Sequence, residues 1–279
     1  KNIPYGRQYI DNADIQSVKN SLKQDLITTG LYVRKFEDRI CNLFKSKYSL
    51  SCSSGTSGLH LAMLSLNLNR NDVVIMPAIN FIASYSIAKN MNAKIYLADV
   101  DPVSGQMTPK TLNDCIKNSR VKKIKAIITM PMGGFPENLE EFYKVKSSFK
   151  CYLIEDACHA MGAKYMTKKK SFYVGSCRHS DLCVFSLHPV KSITSGEGGV
   201  VTTNKKELYE KMISLRSHGI VRNKSAHWKY DISQLGYNYR LSDINCALAL
   251  SQLKKISKFI DYRKRVYQNY IEGFKHYQN

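Results

Sequence analysis

Six short apolar runs punctuate the chain, at 73–76, 94–99, 125–130, 151–155, 182–187 and 198–203. Stretches with helical spacing of apolar positions lie around them, at about 11–23, 34–45, 56–66, 81–91, 109–117, 138–148 and 205–217. A last one runs over 242–275 with a break possible inside it. Near-continuous apolar strands that alternate with helices imply an α/β chain, its mostly parallel sheet of about seven strands covered by helices on both faces. There is no internal repeat and no low-complexity segment.

Open α/β sheets bind ligands beyond the carboxyl ends of their strands. The residues that follow each apolar run are therefore the candidates for chemistry. They are 77–81, Asp99, 131–136, Asp156 and 186–199.

Composition narrows the class. The chain has 279 residues, enough for one large domain and part of another. No apolar run approaches the ~20 residues of a membrane helix, and no basic-then-apolar leader opens the chain, so cytoplasmic residence is expected. The eight cysteines form no CxxC pair and several lie in apolar runs, so they read as reduced, buried thiols. No His pair has zinc-ligand spacing, and no metal is expected. The net charge of +20 raises the possibility of a nucleic-acid surface. The lysines are dispersed, however, and no aromatics interleave with them. Solvated helix faces explain them better, and an acidic substrate would gain from the positive field. The chain starts at Lys1, and its last stretch reads as an uncapped amphipathic helix. Both ends lead us to expect a piece of a longer protein.

Three stretches carry candidate chemistry. In "VFSLHPVKSITSGEGG" (184–199), Ser186 and a lone lysine, Lys191, follow an apolar run and precede a glycine-rich turn. In "YLIEDACHA" (152–160), Glu155 and Asp156 end a strand. Such an acid is more often a helix cap, but it can also hold a cationic ring nitrogen. In "SCSSGTSGLHLAMLSL" (51–66), a Ser/Gly/Thr turn opens an amphipathic helix from about Thr56. Its free amides and positive dipole end suit a phosphate. A lysine, a carboxylate and a phosphate cup are together what pyridoxal phosphate requires. The lysine must work as a neutral amine, which burial and neighbouring positive charge favour.

Along nearly its whole length the chain resembles the DegT/DnrJ/EryC1/StrS sugar-nucleotide aminotransferases, which are fold type I pyridoxal-phosphate enzymes. The stretches that carry the likeness are "IPYGRQYIDNADIQSV", "LITTG", "SSGTSGLHLA", "NFIAS", "EDACHAMGA", "FSLHPVKSITSGEGG", "RSHGI" and "GYNYRLSDINCALALSQLKKI". The resemblance implies that Lys191 forms the Schiff base and that Asp156 pairs with the pyridinium nitrogen. It sets His159 near the ring's phenolic oxygen, Phe81 on the ring face, and Gly55, Thr56, Ser57 and Ser186 around the phosphate. In this family an asparagine of the neighbouring subunit completes the cup. Asn238 matches it, which implies a homodimer. Tyr5 and the run Asp25, Leu26, Ile27, Thr28 and Thr29 match positions lining the sugar-nucleotide site. Taken singly, Phe81 could be core, His159 a satisfied helix histidine and Asn238 a turn former.

The wording "HPVK…GEGG" and "PYGRQ…TTG" most resembles the pseudaminic-acid branch of the family. Enzymes of that branch aminate a UDP-4-keto-6-deoxy-N-acetylhexosamine at C4, with L-glutamate as donor. The implied organisation is an N-terminal segment (1–25), a large cofactor-binding domain (26–240) and the start of a smaller domain (241–279). Two departures stand out. "MPMGG" puts Pro131 where the family usually has histidine, and family chains are longer. Sugar 3-dehydratases of the same fold replace the lysine with histidine, so Lys191 ranks that activity second. The role of His188, a mark of the branch or a packing residue under the loop, stays open.

Overall fold

A computed structural model of the chain describes residue 4 and residues 6–168, 170–222 and 228–277, without the side chain of Arg222. In chain order its elements are α1 (Asn12–Ser21), α2 (Leu31–Phe44), β1 (Tyr48–Cys52), α3 (Gly55–Ser65), β2 (Val73–Pro77), α4 (Ala83–Asn90) and β3 (Lys94–Ala98). Next come α5 (Pro109–Asn118), β4 (Ala126–Thr129), α6 (Leu139–Ser148), β5 (Tyr152–Asp156), β6 (Lys164–Met166), β7 (Ser171–Tyr173) and β8 (Leu182–Ser186). β9 (Gly199–Thr203), α7 (Lys206–Arg216), β10 (Ile220–Arg222), β11 (Tyr230–Ile232), α8 (Asp243–Leu253) and α9 (Ile256–Phe274) complete the series.

The main sheet has seven strands in the order β1-β9-β8-β5-β4-β2-β3. β3, β2, β4, β5 and β8 pair in parallel. β9 is antiparallel to both β8 and β1, so β1 points the same way as the parallel set. Apart from the edge strand β3, where Lys94 and Leu97 are exposed, the strands are buried on both faces, as their apolar runs require. Val74, Met76, Ile128, Ile154 and Val184 turn to the layer formed by α3, α4 and α7. The alternate residues Cys183, Phe185 and Val200 turn to the layer containing α2 and α8, while Ile75, Ile127 and Leu153 meet α5 and α6. The architecture is therefore three layers, helix–sheet–helix.

All six apolar runs are strands. β1 has no comparable run because its sequence, "YSLSC", alternates serine with apolar residues. Leu50 and Cys52 enter the core, while Ser49 and Ser51 meet Glu37. Glu37 in turn forms a 2.7 Å ion pair with Arg216. The hairpins β6–β7 and β10–β11 are too short to leave a periodic signal. The expected break in the last helix falls between α8 and α9, where Lys255 leaves helical geometry. The Lys255 ammonium holds Asp11 at 2.9 Å and Asp14 at 2.6 Å, tying α1 to this junction. One expectation needs correcting. α3 is not amphipathic but buried almost all round, because it packs between the sheet and α7. All eight cysteines are free thiols. Among the described residues, no helix is long and apolar enough to cross a membrane.

Candidate active site

The strand register gathers the candidate residues. Cys52, Gly199 and Ser186 stand side by side across β1, β9 and β8 at the carboxyl end of the parallel strands. The chain leaving β1 turns directly over this row into α3. A Cβ on Gly199 would overlap the carbonyl of Ser54, so only glycine lets the turn lie on the strand tip. A Cβ on Gly55 would lie 2.9 Å from the Ser186 Cβ and 3.1 Å from the Cys158 Sγ. Gly55, Ser186 and the start of the 156–159 turn thus converge.

Ser54 and Ser57 form a capping box at the start of α3. The Ser57 hydroxyl accepts from the Ser54 amide at 2.9 Å and donates to the Ser54 carbonyl at 2.8 Å. The Ser57 amide donates to the Ser54 Oγ at 3.0 Å. Ser57 thereby shapes the turn. The amides of Gly55 and Thr56 belong to the first helical turn and have no intrahelical acceptor. They and the half-buried Ser186 hydroxyl are the donors that the positive helix end offers to an anion.

Asp156 and Glu155 end β5 on opposite faces of the sheet. Asp156 is buried on the α3–α4 side. Its Oδ2 accepts from the Ser84 hydroxyl at 3.3 Å and its Oδ1 from the Cys158 amide at 3.4 Å. Burial raises its pKa, and the hydrogen bonds from Cys158 and Ser84 oppose that rise. Such a carboxylate is poised for a cationic partner. His159 is half-buried beside it, and its Nδ1 has no hydrogen-bond partner among the described residues. Burial, then the charge of Lys191, lowers the His159 pKa. The Lys191 charge also acts on the Cys158 thiol, so the ammonium is within electrostatic reach of this cluster.

The Lys191 loop is held by its backbone. The Lys191 amide donates to the His188 carbonyl at 2.9 Å, and the Ser195 amide to the Leu187 carbonyl at 3.0 Å. Asn245 reaches the Ser195 carbonyl at 2.6 Å, and the Arg263 guanidinium reaches the Lys191 carbonyl at 2.8 Å. Lys191 lines a cavity of about 220 Å³ together with Arg7, Tyr9, Phe259, Tyr262 and Arg263. His188 is exposed, so it does not pack under the loop.

Phe81 is 64% exposed at the mouth between β2 and α4, which excludes the core reading. Residues 25–29 are exposed too. They are anchored by the Thr28–Ser242 bridge and by the Asp243 amide, which donates to the Ile27 carbonyl at 3.0 Å. Asn238 is exposed and bridges to Ser217, and the next residue, Tyr239, accepts from the Ser53 amide at 2.9 Å. The segment with Asn238 therefore runs beside the α3 turn. Tyr5 lies outside the described residues. Pro131 opens a tight turn through Gly133 and Gly134, both at positive φ. A Cβ on Gly134 would overlap the His159 carbonyl, so this turn packs directly beneath the site.

Sequence reasoning passed over Ser84 and Cys158. Ser84 sits in a short apolar stretch, where a serine reads as a helix-start residue, and a cysteine beside an acid carries no motif of its own.

The arrangement fits pyridoxal phosphate on three counts: an underpartnered buried carboxylate, an orphaned imidazole nitrogen, and a glycine cradle at a helix start. Comparison with known proteins agrees. The profile of the DegT/DnrJ/EryC1/StrS aminotransferase family matches residues 8–279. The chain belongs to that family. It is 38% identical over 273 residues to the UDP-4-amino-4,6-dideoxy-N-acetyl-beta-L-altrosamine transaminase of Campylobacter jejuni, covering 98% of this chain and 69% of the relative. The structure of PseC from Helicobacter pylori, an aminotransferase of pseudoaminic acid biosynthesis, superimposes with a TM-score of 0.87 at 29% identity, covering 100% of this chain and 72% of that one. The pyridoxal-phosphate form of the sugar aminotransferase Spr1654 from Streptococcus pneumoniae gives 0.88 at 26% identity, covering 99% and 72%. The chain is a pyridoxal-phosphate-dependent aminotransferase.

The other acid of β5 behaves differently. Glu155 is fully buried, its Oε2 has no partner, and burial pushes its pKa from the usual 4.5 up to about 7. The folded state therefore binds the proton more tightly than the unfolded chain. Its stabilising contribution is complete below pH 4.5 and is lost as pH rises to about 7. The loss amounts to about 3 kcal/mol. Glu155→Gln is expected to flatten this dependence and to unfold at a higher temperature than the wild type at pH 8. Thermal unfolding followed across pH checks it, and parallel curves for the two proteins would refute it.

Proposed function

We propose that this aminotransferase moves the amino group of L-glutamate to C4 of a UDP-4-keto-6-deoxy-N-acetylhexosamine, as in pseudaminic-acid-type nucleotide-sugar synthesis. The observation that supports the reading is that Gly55, Ser186 and the 156–159 turn meet at one end of the sheet, with the Lys191 charge in electrostatic reach of His159 and Cys158. Similarity over 98% of the chain to a transaminase of that substrate class supports the sugar assignment.

The cofactor supplies an electron sink for the carbanion formed when the donor loses its Cα proton. The chain's own groups do the rest. The Gly55 and Thr56 amides and the Ser186 hydroxyl would hold the phosphate at the positive end of α3. Asp156 would keep the ring nitrogen protonated. Phe81 would cover the ring and exclude water from it. Lys191 would bind the cofactor through its amine, take the Cα proton from glutamate and later return a proton at the sugar's C4. One water enters the first half-reaction as 2-oxoglutarate leaves, and one water is released in the second.

Residues 25–29 and Tyr5 would line the sugar-nucleotide pocket. A second copy of the chain would complete the phosphate cup through Asn238, so the working form is a homodimer. Eight free thiols fit a reducing compartment, which supports a cytoplasmic enzyme.

The test is incubation with pyridoxal phosphate, L-glutamate and a panel of 3-keto and 4-keto nucleotide sugars, with products identified by mass. The expected result is an amino sugar from the UDP-linked 4-keto-6-deoxy-N-acetylhexosamine. Loss of the 3-hydroxyl without amination would instead indicate a dehydratase. Tight, salt-dependent DNA binding that ignores Lys191→Ala, with no product, would favour the nucleic-acid reading of the positive charge.

A further inference from the structure

Asp156 is buried, yet among the described residues no lysine, arginine or histidine pairs with it within ion-pair distance. Among the described residues its N–H and O–H donors are the Cys158 amide, two residues along its own chain, and the Ser84 hydroxyl, brought in from α4, with the Cys158 thiol as a further weak donor. The amide contact comes with the local turn and no side-chain substitution removes it. The hydroxyl contact is a choice of side chain.

Ser84 is completely buried in the first turn of α4. That helix begins at Ile82 with no side-chain cap, and the Ser84 hydroxyl makes no capping bond. Its O–H is left to donate to the Asp156 Oδ2 at 3.3 Å. The positive end of α4 adds a favourable field of the same sign. Phe81 immediately precedes this turn, so the turn that holds Asp156 also sets the aromatic side chain at the mouth of the site. The other charged and titratable groups around Asp156 are His159, Lys191 and the Cys158 thiol.

We propose that Ser84 is a positioning residue of the reaction: its hydroxyl holds the Asp156 carboxylate ionised and aimed at the cofactor ring, and it ties the Phe81 turn to the same strand end. This rests on the reading of Asp156 and Lys191 given above. The consequence is electronic rather than structural. Without the hydroxyl, the buried carboxylate loses its oxygen–hydrogen donor, and the Cys158 amide and weakly donating thiol are left to offset its desolvation. It then holds the protonated ring nitrogen less firmly, and the ring becomes a weaker electron sink.

The test compares Ser84→Ala, the near-isosteric Ser84→Cys and the hydroxyl-retaining Ser84→Thr, each reconstituted with pyridoxal phosphate. A thiol keeps most of the volume but is a weak donor. Two readouts are taken: single-turnover reaction with L-glutamate per bound cofactor, and the pH at which nitrogen magnetic resonance of isotope-labelled cofactor reports loss of the ring proton. A hydrogen bond to a charged group predicts that Ala and Cys slow the half-reaction about tenfold and lower that pH by about one unit. The glutamate concentration for half-maximal rate should stay within about twofold, because Ser84 does not touch the donor. Thr should restore both readouts towards wild type. If Ala and Cys match wild type in rate and titration, or lose only cofactor affinity, the positioning role is wrong. A wild-type protein without a Lys191-dependent visible band would overturn the site reading, and this proposal with it.

Discussion

Lys191→Ala is expected to remove the visible absorbance that pyridoxal phosphate gives the wild type, and to lower transamination by roughly 10³-fold or more. The substitution removes the amine whose charge reaches His159 and Cys158 beside Asp156. The loop itself should survive. Its restraints are backbone bonds from Arg263 and Asn245 and within residues 187–195, none of which uses the lysine side chain. Unfolding should therefore shift by no more than about 0.5 kcal/mol. The phosphate cradle is also untouched, so the variant should still bind the cofactor without the band. Lys191→Arg keeps the charge but cannot supply a neutral amine, and it should be as inactive as the alanine variant. Activity in either variant within about tenfold of wild type would contradict the assignment.

The largest expected effect on stability belongs to Asp243. This residue opens α8 and is completely buried. Its Oδ2 accepts from the Gly30 amide at 2.7 Å, and its Oδ1 accepts from Tyr32 at 2.7 Å and Val33 at 3.3 Å. These are the cap and first-turn amides of α2, whose N-cap, Gly30, has no side chain of its own to bond them. One helix thus caps another across 213 residues of chain. A Cβ on Gly30 would lie 2.9 Å from the Asp243 Oδ1, so glycine is what lets the carboxylate approach.

Asp243→Ala strands three buried amides and should cost about 3 kcal/mol or more. For a chain of this size, that lowers the melting temperature by roughly 6–12 °C. Asp243→Asn keeps an acceptor and should lose less. Residues 25–29, which we propose line the sugar-nucleotide pocket, lead straight into Gly30, so loosening the start of α2 should weaken sugar-nucleotide binding even though the Asp243 amide and the Thr28–Ser242 bridge remain. Denaturant unfolding checks the first claim and a substrate titration the second. An unchanged midpoint would show that water satisfies the α2 amides in the variant.

The parallel strands are legible in the sequence because burial on both faces forces uninterrupted apolar runs. β1 is hidden because its second face meets the Glu37–Arg216 pair instead of a helix's apolar side, so its serines resemble a turn. Lys191 and Asp156 are legible because each follows an apolar run and so stands at a strand's carboxyl end. Gly55 and Ser186 are legible as types, but only the register of β1, β9 and β8 shows that they touch. The Ser57 cap was not separable from a phosphate ligand, because both roles use a serine at a helix start. Ser84, Gly134 and Asp243 act through contacts with residues far along the chain, and no local pattern announces such contacts.

The central claim is amino transfer from glutamate to a nucleotide-linked 4-keto sugar through Lys191. The most direct measurement uses L-glutamate carrying heavy nitrogen, with the cofactor-loaded enzyme and a UDP-4-keto-6-deoxy-N-acetylhexosamine, followed by mass and magnetic-resonance analysis of the sugar. The account predicts heavy nitrogen at C4, one 2-oxoglutarate released per label, and neither product from Lys191→Ala. An unlabelled sugar, or equal labelling by the Lys191→Ala protein, would contradict it.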